Sequence, residues 1–349
     1  MVDRAILPAI MVLPDLFGDP FRERSSLLQS KPLALLGGRF QFASNSRRLL
    51  SLAELAFAGL PRHRLSTSEP RLRVTLWLES ERRAHRRSEP PPLAMMSGGG
   101  LLAGAPEGSS FVSVSPQDGS ALIVMSRDML RFPYHARYEL IEFAVFTLAA
   151  RAQGLAPLHA ACVGRDGRGV LLMGASGSGK STVALHCLLR GLDFLSEDSV
   201  FVAPATLLAT GIANFLHVRS DSLRWLAPGP EVAAIRSSPV IQRRSGVKKF
   251  EVNLRQRHYR LAPAPLQISS IVFLSSQSAG GRPLLRPLSR ATLLSRLSGA
   301  QACALNQPEW ATFSRHAARL DSFELRRGGH PLESVDVLDR LLRFGTRQA

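Results

Sequence analysis

The stretch GASGSGKST, Gly174 to Thr182, constrains this 349-residue chain more than any other. Glycines at 174, 177 and 179 let a backbone curl until successive amide N–H groups face one point, and the helix that follows adds the partial positive charge of its N-terminus. An apolar run, Val170 to Met173, leads into the loop, and STVALHCLLRG, from Ser181, leads out of it as a helix. Strand, glycine loop and helix in that order are the context a phosphate-binding loop requires. In such a loop Lys180 reaches the β- and γ-phosphates of a nucleotide and the Ser181 hydroxyl holds Mg²⁺, with Gly174, Ala175, Ser176, Gly177, Ser178, Gly179 and Thr182 completing the cradle.

Four of the 44 basic residues are lysines: Lys31, Lys180, Lys248 and Lys249. Where arginine is used almost everywhere, a lysine in the loop suits a compact ammonium better than a planar guanidinium. The second lysine site, RRSGVKKF, offers Arg243, Arg244, Lys248 or Lys249 as candidates for the transferring phosphate, or else forms an exposed basic turn about Gly246. LSEDS, Leu195 to Ser199, sets two acids at the end of a short apolar strand, FLSEDSVFV. One carboxylate there can organise Mg²⁺ and the other can accept a proton from an attacking hydroxyl.

The formal charge of +17 raises the question of a polyanionic partner. No aromatic residues interleave with the densest cluster, Arg82, Arg83, Arg86 and Arg87, as stacking on bases requires. The Pro- and Gly-rich stretch that follows, to Gly104, reads as a solvated loop. No nucleic acid is expected. A nucleic-acid-associated ATPase remains a third reading, motivated by charge alone. No run approaches the roughly 20 apolar residues of a membrane span, and the apolar start of the chain is broken by Pro8, Pro14 and Asp15. Cys162, Cys187 and Cys303 are odd in number and far apart, without a metal-ligand spacing. The expectation is a cytoplasmic protein without membrane contact, and a homo-oligomer stays open.

Residues 1–152 read as a small α+β region. It has a strand at Arg39 to Ala43, an amphipathic helix carrying Leu49, Leu50, Leu52, Leu55 and Ala56, a strand over 70–79, a hairpin turning at Gln117 to Gly119, and a helix from Tyr134 to Ala152. Residues 153–349 open with a hairpin turning at Arg165 to Gly169 and continue through the glycine loop. Further strands are expected around Ala213 to Val218, Phe250 to Leu254 and Ser269 to Ser275, and helices near Ser289 to Ala302 and Leu332 to Arg343.

The run from Leu158 to Val202 resembles the nucleotide-binding core of the HPr kinase/phosphorylase family: a His heading a hairpin, a phosphate loop at its end, a helix closing in Arg-Gly, and a strand with two acids. That resemblance implies an α/β P-loop kinase core of the HPr kinase and phosphoenolpyruvate carboxykinase-like type over 153–349. It implies Mg-ATP-dependent transfer to a serine hydroxyl of a peptide or small protein. His159 falls on the family's active-site histidine, Glu197 on its catalytic aspartate and Asp198 on the second aspartate, which with Ser181 would organise Mg²⁺. Glu in place of Asp is a departure. So is GIANFLHVRSD, Gly211 to Asp221, where the family has a Leu-Glu-Ile-Arg-Gly segment, and no counterpart of the phosphorylase loop follows. These departures resemble the divergent relatives that phosphorylate a serine near the C-terminus of a lasso-peptide precursor, with residues 1–152 recognising the acceptor or serving as scaffold. Kinase activity without phosphorolysis is the expectation. HPr itself, a small hydroxylated metabolite, or a catalytically silent nucleotide-binding regulatory module are the alternatives. Intact Lys180, Ser181, Glu197 and Asp198 count against the last.

Overall fold

The computed structural model describes residues 29–66, 68–79, 89–90, 92–98, 100–106, 110–256 and 259–345. The apolar start of the chain and the cluster Arg82, Arg83, Arg86 and Arg87 lie outside the described residues. Strands β1 (Gln29–Leu35), β2 (Gly38–Ser44), β3 (Arg71–Leu78), β4 (Leu93–Gly98), β5 (Leu101–Pro106), β6 (Phe111–Ser115) and β7 (Ser120–Met125) form one sheet in the order β1-β2-β3-β7-β6-β5-β4. Its residues alternate: Phe40 and Phe42 of β2, Leu72, Val74 and Leu76 of β3, and Ile123 and Met125 of β7 are buried on one face. Helix α1 (Arg47–Phe57) covers that face with Leu49, Ala53, Ala56 and Phe57, while Leu55 of the expected apolar stripe is 44% exposed.

The hairpin at Gln117 to Gly119 is present as β6 and β7. The stretch read as a Pro/Gly loop instead contains a hairpin, β4 and β5, in register from Leu93↔Pro106 to Gly98↔Leu101. Small residues lowered its hydrophobic signal, yet pairing with β6 gives those backbone groups their partners.

The expected helix after Tyr134 has three parts. A first turn, α2 (Pro133–His135), passes into a π-helical stretch, Ala136–Glu142, and then into α3 (Phe143–Gln153), which ends at left-handed Gly154.

The second sheet joins β8 (Ala156–His159), β9 (Ala161–Arg165), β10 (Arg168–Met173), β11 (Asp193–Ser196), β12 (Ser199–Val202), β13 (Leu208–Gly211), β17 (Leu266–Ser278), β18 (Leu285–Pro287) and β19 (Asp321–Arg327). Strand β10 pairs antiparallel with β9 and parallel with β17, so it is central and apolar on both faces. Val170 and Leu172 pack with helices α4 (Lys180–Leu189) and α9 (Pro331–Phe344), and Leu171 and Met173 face the layer of α6 (Arg290–Ala300), α7 (Ala302–Leu305) and α8 (Trp310–Ala317). A small third sheet, β14 (Phe215–Val218), β16 (Lys248–Asn253) and β15 (Val240–Gln242), shares a core with α4, with α5 (Pro230–Arg236) between β14 and β15 in sequence.

FLSEDSVFV is two strands, not one. β11 pairs with β9 whereas β12 pairs with β8, so both chains bend at the same level, one at His159–Ala160 and the other at Glu197–Asp198. The Ala160 N–H donates to the Asp198 carbonyl across the bend at 3.2 Å. This corner presents the two acids and the histidine beside the glycine loop.

Polar contacts join the first sheet's layer to the rest. Arg255 donates to the carbonyls of Leu55, Ala56 and Ala58, closing the C-terminal end of α1. Buried Asn214 donates to the Ala56 carbonyl, and His63 is held between Thr210 and the Ala262 carbonyl.

Candidate active site

The glycine loop joins β10 to α4. Gly177 and Gly179 have φ of 82° and 99°, which side chains with a Cβ resist, and Gly179 forms the N-cap of α4. A Cβ on Gly174 would lie 2.5 Å from Ser178 Oγ and 3.2 Å from the Leu274 carbonyl, so the loop needs glycine for close approach as well. Ser178 Oγ is buried in the loop with no hydrogen-bond partner.

From the first turn of α4, Lys180 reaches the corner between β11 and β12. Its Nζ donates to Asp198 Oδ1 at 2.8 Å and lies 3.2 Å from His159 Nε2, and His159 Nδ1 is 3.1 Å from the same Asp198 oxygen. The side chain of Gln301, from the start of α7, bonds the His159 backbone at both N–H and carbonyl, which sets the position of the bend. Burial works to raise the Asp198 pKa, but Lys180, His159 and Arg243 overcome it and hold the carboxyl down at about 2. Desolvation lowers the His159 pKa below the ordinary histidine value, against the opposing pull of Asp198.

Glu197 turns the other way. Its Oε2 accepts from the His217 N–H at 2.8 Å and sits 3.3 Å from His217 Nδ1. His217 belongs to β14 and stands opposite Glu251 of β16, 3.4 Å away from Nε2 to Oε1. Burial alone would lower the His217 pKa, yet the bonds to Glu197 and Glu251 raise it to about 9. A base with a folded-state pKa above its ordinary value, near 6.5, contributes stability that is complete below that value and is lost as pH rises through about 9. The denaturation midpoint is therefore expected to fall between pH 6.5 and 9.5, and to fall less steeply in His217→Gln. Parallel pH dependences in the two proteins would remove His217 from the effect.

Of these groups His159, Lys180, Glu197 and Asp198 line one cavity of about 400 Å³ that runs along residues 174–183, while His217, Glu251 and Gln301 support its wall from behind. Its wall includes His159, Glu197, Asp198, Arg243 and Lys249, and also Arg224, Trp225, Arg327 and His330. Thr182 Oγ1 and Ser222 Oγ, 3.0 Å apart, link the loop to the stretch that carries Trp225, whose ring meets His330 at 5.4 Å and carries the Arg224 guanidinium at 4.9 Å.

Of the sequence candidates, the loop residues Gly174 to Thr182, His159, Lys180, Glu197, Asp198 and Arg243 come together here. Arg244 and Lys248 do not line the cavity. Arg244 donates to both carboxylate oxygens of Glu139, at 2.6 and 2.5 Å, on the far side of the turn. Lys248 is exposed, and strand alternation turns Lys249 inward in its place. Arg243 Nε is buried without a partner. Sequence reasoning missed Tyr138, whose hydroxyl lies 3.4 Å from Asp198 Oδ2, along with Trp225 and the His217–Glu251 pair, whereas Lys249, one of the four basic candidates of RRSGVKKF, does line the cavity. Alternation from Phe250 could have found Glu251, but nothing in the sequence joins Tyr138 to Asp198.

Cys162 and Cys187 are free and buried, and burial pushes both thiols up, away from reactivity. Among the described residues no group of three or more His, Cys, Asp or Glu forms a metal cage, and no helix is long and apolar enough to cross a membrane.

Fold and cavity together define a mixed α/β protein with several sheets, its candidate site built where a strand, a glycine loop and a helix meet two acids. The chain is 34% identical over 90 residues to an HPr kinase/phosphorylase from Chlorobium phaeobacteroides (strain BS1), a match covering 24% of this chain and 26% of that protein. The chain matches about a quarter of that relative's length. A solved structure of the Hpr(Ser) kinase/phosphatase from Coxiella burnetii matches 53% of this chain and 88% of its own at 12% identity, with a TM-score of 0.27. No family model matches.

Proposed function

We propose that this protein is a Mg-ATP-dependent kinase that transfers the γ-phosphate to a serine hydroxyl of a peptide or small protein. The observation that carries the reading is the meeting of Lys180, Asp198 and His159 within 3.2 Å of one another at the end of the glycine loop. The residues suit the groups they would bind. Ser178 Oγ and Arg243 Nε lack partners, and every residue of the glycine loop lines the cavity. A single hydroxyl, Ser181, with a single carboxylate, Asp198, suits Mg²⁺, which keeps waters and phosphate oxygens in its shell. Held there, Mg²⁺ would neutralise charge on the β- and γ-phosphates.

Lys180 would leave Asp198 for the phosphates, and the guanidinium of Arg243 with the ammonium of Lys249 would face the transferring group. Glu197 receives both His217 contacts on Oε2, so Oε1 is the oxygen proposed to take the serine proton. His159, beside Asp198, would orient the γ-phosphate. The nucleoside would lie toward Thr182, with Trp225 as a platform for the base. A serine on a flexible peptide end reaches in-line geometry most readily, and the C-terminal serine of a lasso-peptide precursor is one such acceptor.

Incubation with Mg-ATP and peptides bearing a terminal serine should add one phosphate, read by mass spectrometry. The phosphopeptide with inorganic phosphate should lose none. Transfer to intact HPr but to no peptide would overturn the choice of acceptor, and pyrophosphate release from the second reaction would show that Glu197 also supports phosphorolysis.

A further inference from the structure

A buried chain of charged groups runs from Glu197 out of the cavity and ends in the region before residue 153. From Glu197 it passes to His217, then to Glu251 Oε1, to which Arg137 Nη2 also donates. Arg137 Nε lies 3.8 Å from Glu142 Oε1, and that oxygen accepts from Asn214 at 3.1 Å. All five ionisable members are less than 8% exposed, and the Arg137 guanidinium also stacks on the Phe215 ring at 4.3 Å. The residue after Arg137 is Tyr138, the hydroxyl neighbour of Asp198, and Tyr134 stacks on Tyr138 at 5.5 Å. Adjacent residues of one stretch thus serve adjacent acids of the site.

That stretch is π-helical, a winding that is rare and frequent at functional sites. Burying ions is costly, and apolar packing of similar shape often stabilises a fold as well or better, so stability does not account for a chain of this length. Its ordering effect does: strand β14 places the main-chain N–H of His217 and Glu251 holds its ring, so that both meet one oxygen of Glu197.

We propose that Arg137, acting through Glu251 and His217, is a positioning residue for Glu197, so that the π-helical stretch before residue 153 belongs to the phosphotransfer machinery. This rests on the kinase reading above, with Glu197 as proton acceptor.

The test uses the full chain with Arg137→Met, Arg137→Lys and the double variant Arg137→Met/Glu251→Gln, which removes both buried charges together. Mg-ATP affinity, Mg-ATP turnover with water as acceptor, thermal midpoint and the ring ¹⁵N shifts of His217 are measured for each. Arg137→Met should keep its affinity for Mg-ATP while turnover drops by roughly 10- to 100-fold, the scale of a small misplacement of a reacting group. Its His217 ring shifts should move as well. Arg137→Lys should recover much of both, because an ammonium can still pair with Glu251. The double variant should regain thermal midpoint without regaining turnover. Turnover that tracks the folded fraction, turnover restored along with stability in the double variant, or His217 shifts unmoved in Arg137→Met would each overturn the positioning role alone. A wild-type protein that binds no Mg-ATP would overturn the kinase reading itself, and the positioning role with it.

Discussion

Lys180→Met is expected to cut phosphate transfer by on the order of 10²- to 10³-fold, the loss typical of removing one preorganised group from developing charge. The lysine occupies the N-terminal turn of α4, where it is 9% exposed and already aimed at the corner that holds Asp198 and His159. Methionine keeps the stem's packing and removes the ammonium, so the fold should persist. Asp198 would lose the cation that most lowers its pKa and should titrate closer to the ordinary carboxylate range. Turnover and nucleotide affinity measured together decide the matter. Undiminished turnover would take the loop out of the mechanism.

Glu197→Gln and Asp198→Asn should separate two tasks that adjacent positions share. Glu197→Gln keeps an acceptor oxygen for the His217 N–H and is nearly isosteric, so Mg-ATP binding should survive while turnover falls by about 10²- to 10⁴-fold, the range for loss of a general base. Asp198→Asn should instead raise the Mg²⁺ concentration needed for half-maximal rate, because a neutral amide is a poorer ligand for a hard cation. Titrating both variants with Mg²⁺ at saturating ATP gives the comparison. Equal loss of nucleotide affinity in the two would refute the division.

The loop and its flanks were legible because each carries local chemistry. Val170 to Met173 is a continuous apolar run since β10 is buried on both faces, and α4 begins at Lys180 because left-handed Gly179 ends the loop there. The strands about Phe40 and Leu72 were legible from alternation. What escaped was set by pairing between distant segments. FLSEDSVFV looks like one strand, and only the divergence of β9 from β8 forces its bend. Arg244 and Lys248 looked equivalent to Arg243 and Lys249, because the sequence does not say which side of the turn faces the cavity. The hairpin of β4 and β5 was hidden by glycine, alanine and serine, residues that promise loops unless a neighbouring strand supplies hydrogen bonds.

A boundary drawn at residue 152 is a line in the sequence and not one through the molecule. A fragment starting there would keep the glycine loop and both acids, yet Glu251 would face an empty slot where Arg137 stood, Asp198 would lose the tyrosine at its back, and Arg255 would have no helix end to close. The half that carries the glycine loop is therefore not a portable module: whatever is grafted, swapped or truncated in this chain must carry the stretch from Tyr134 to Glu142 along with it.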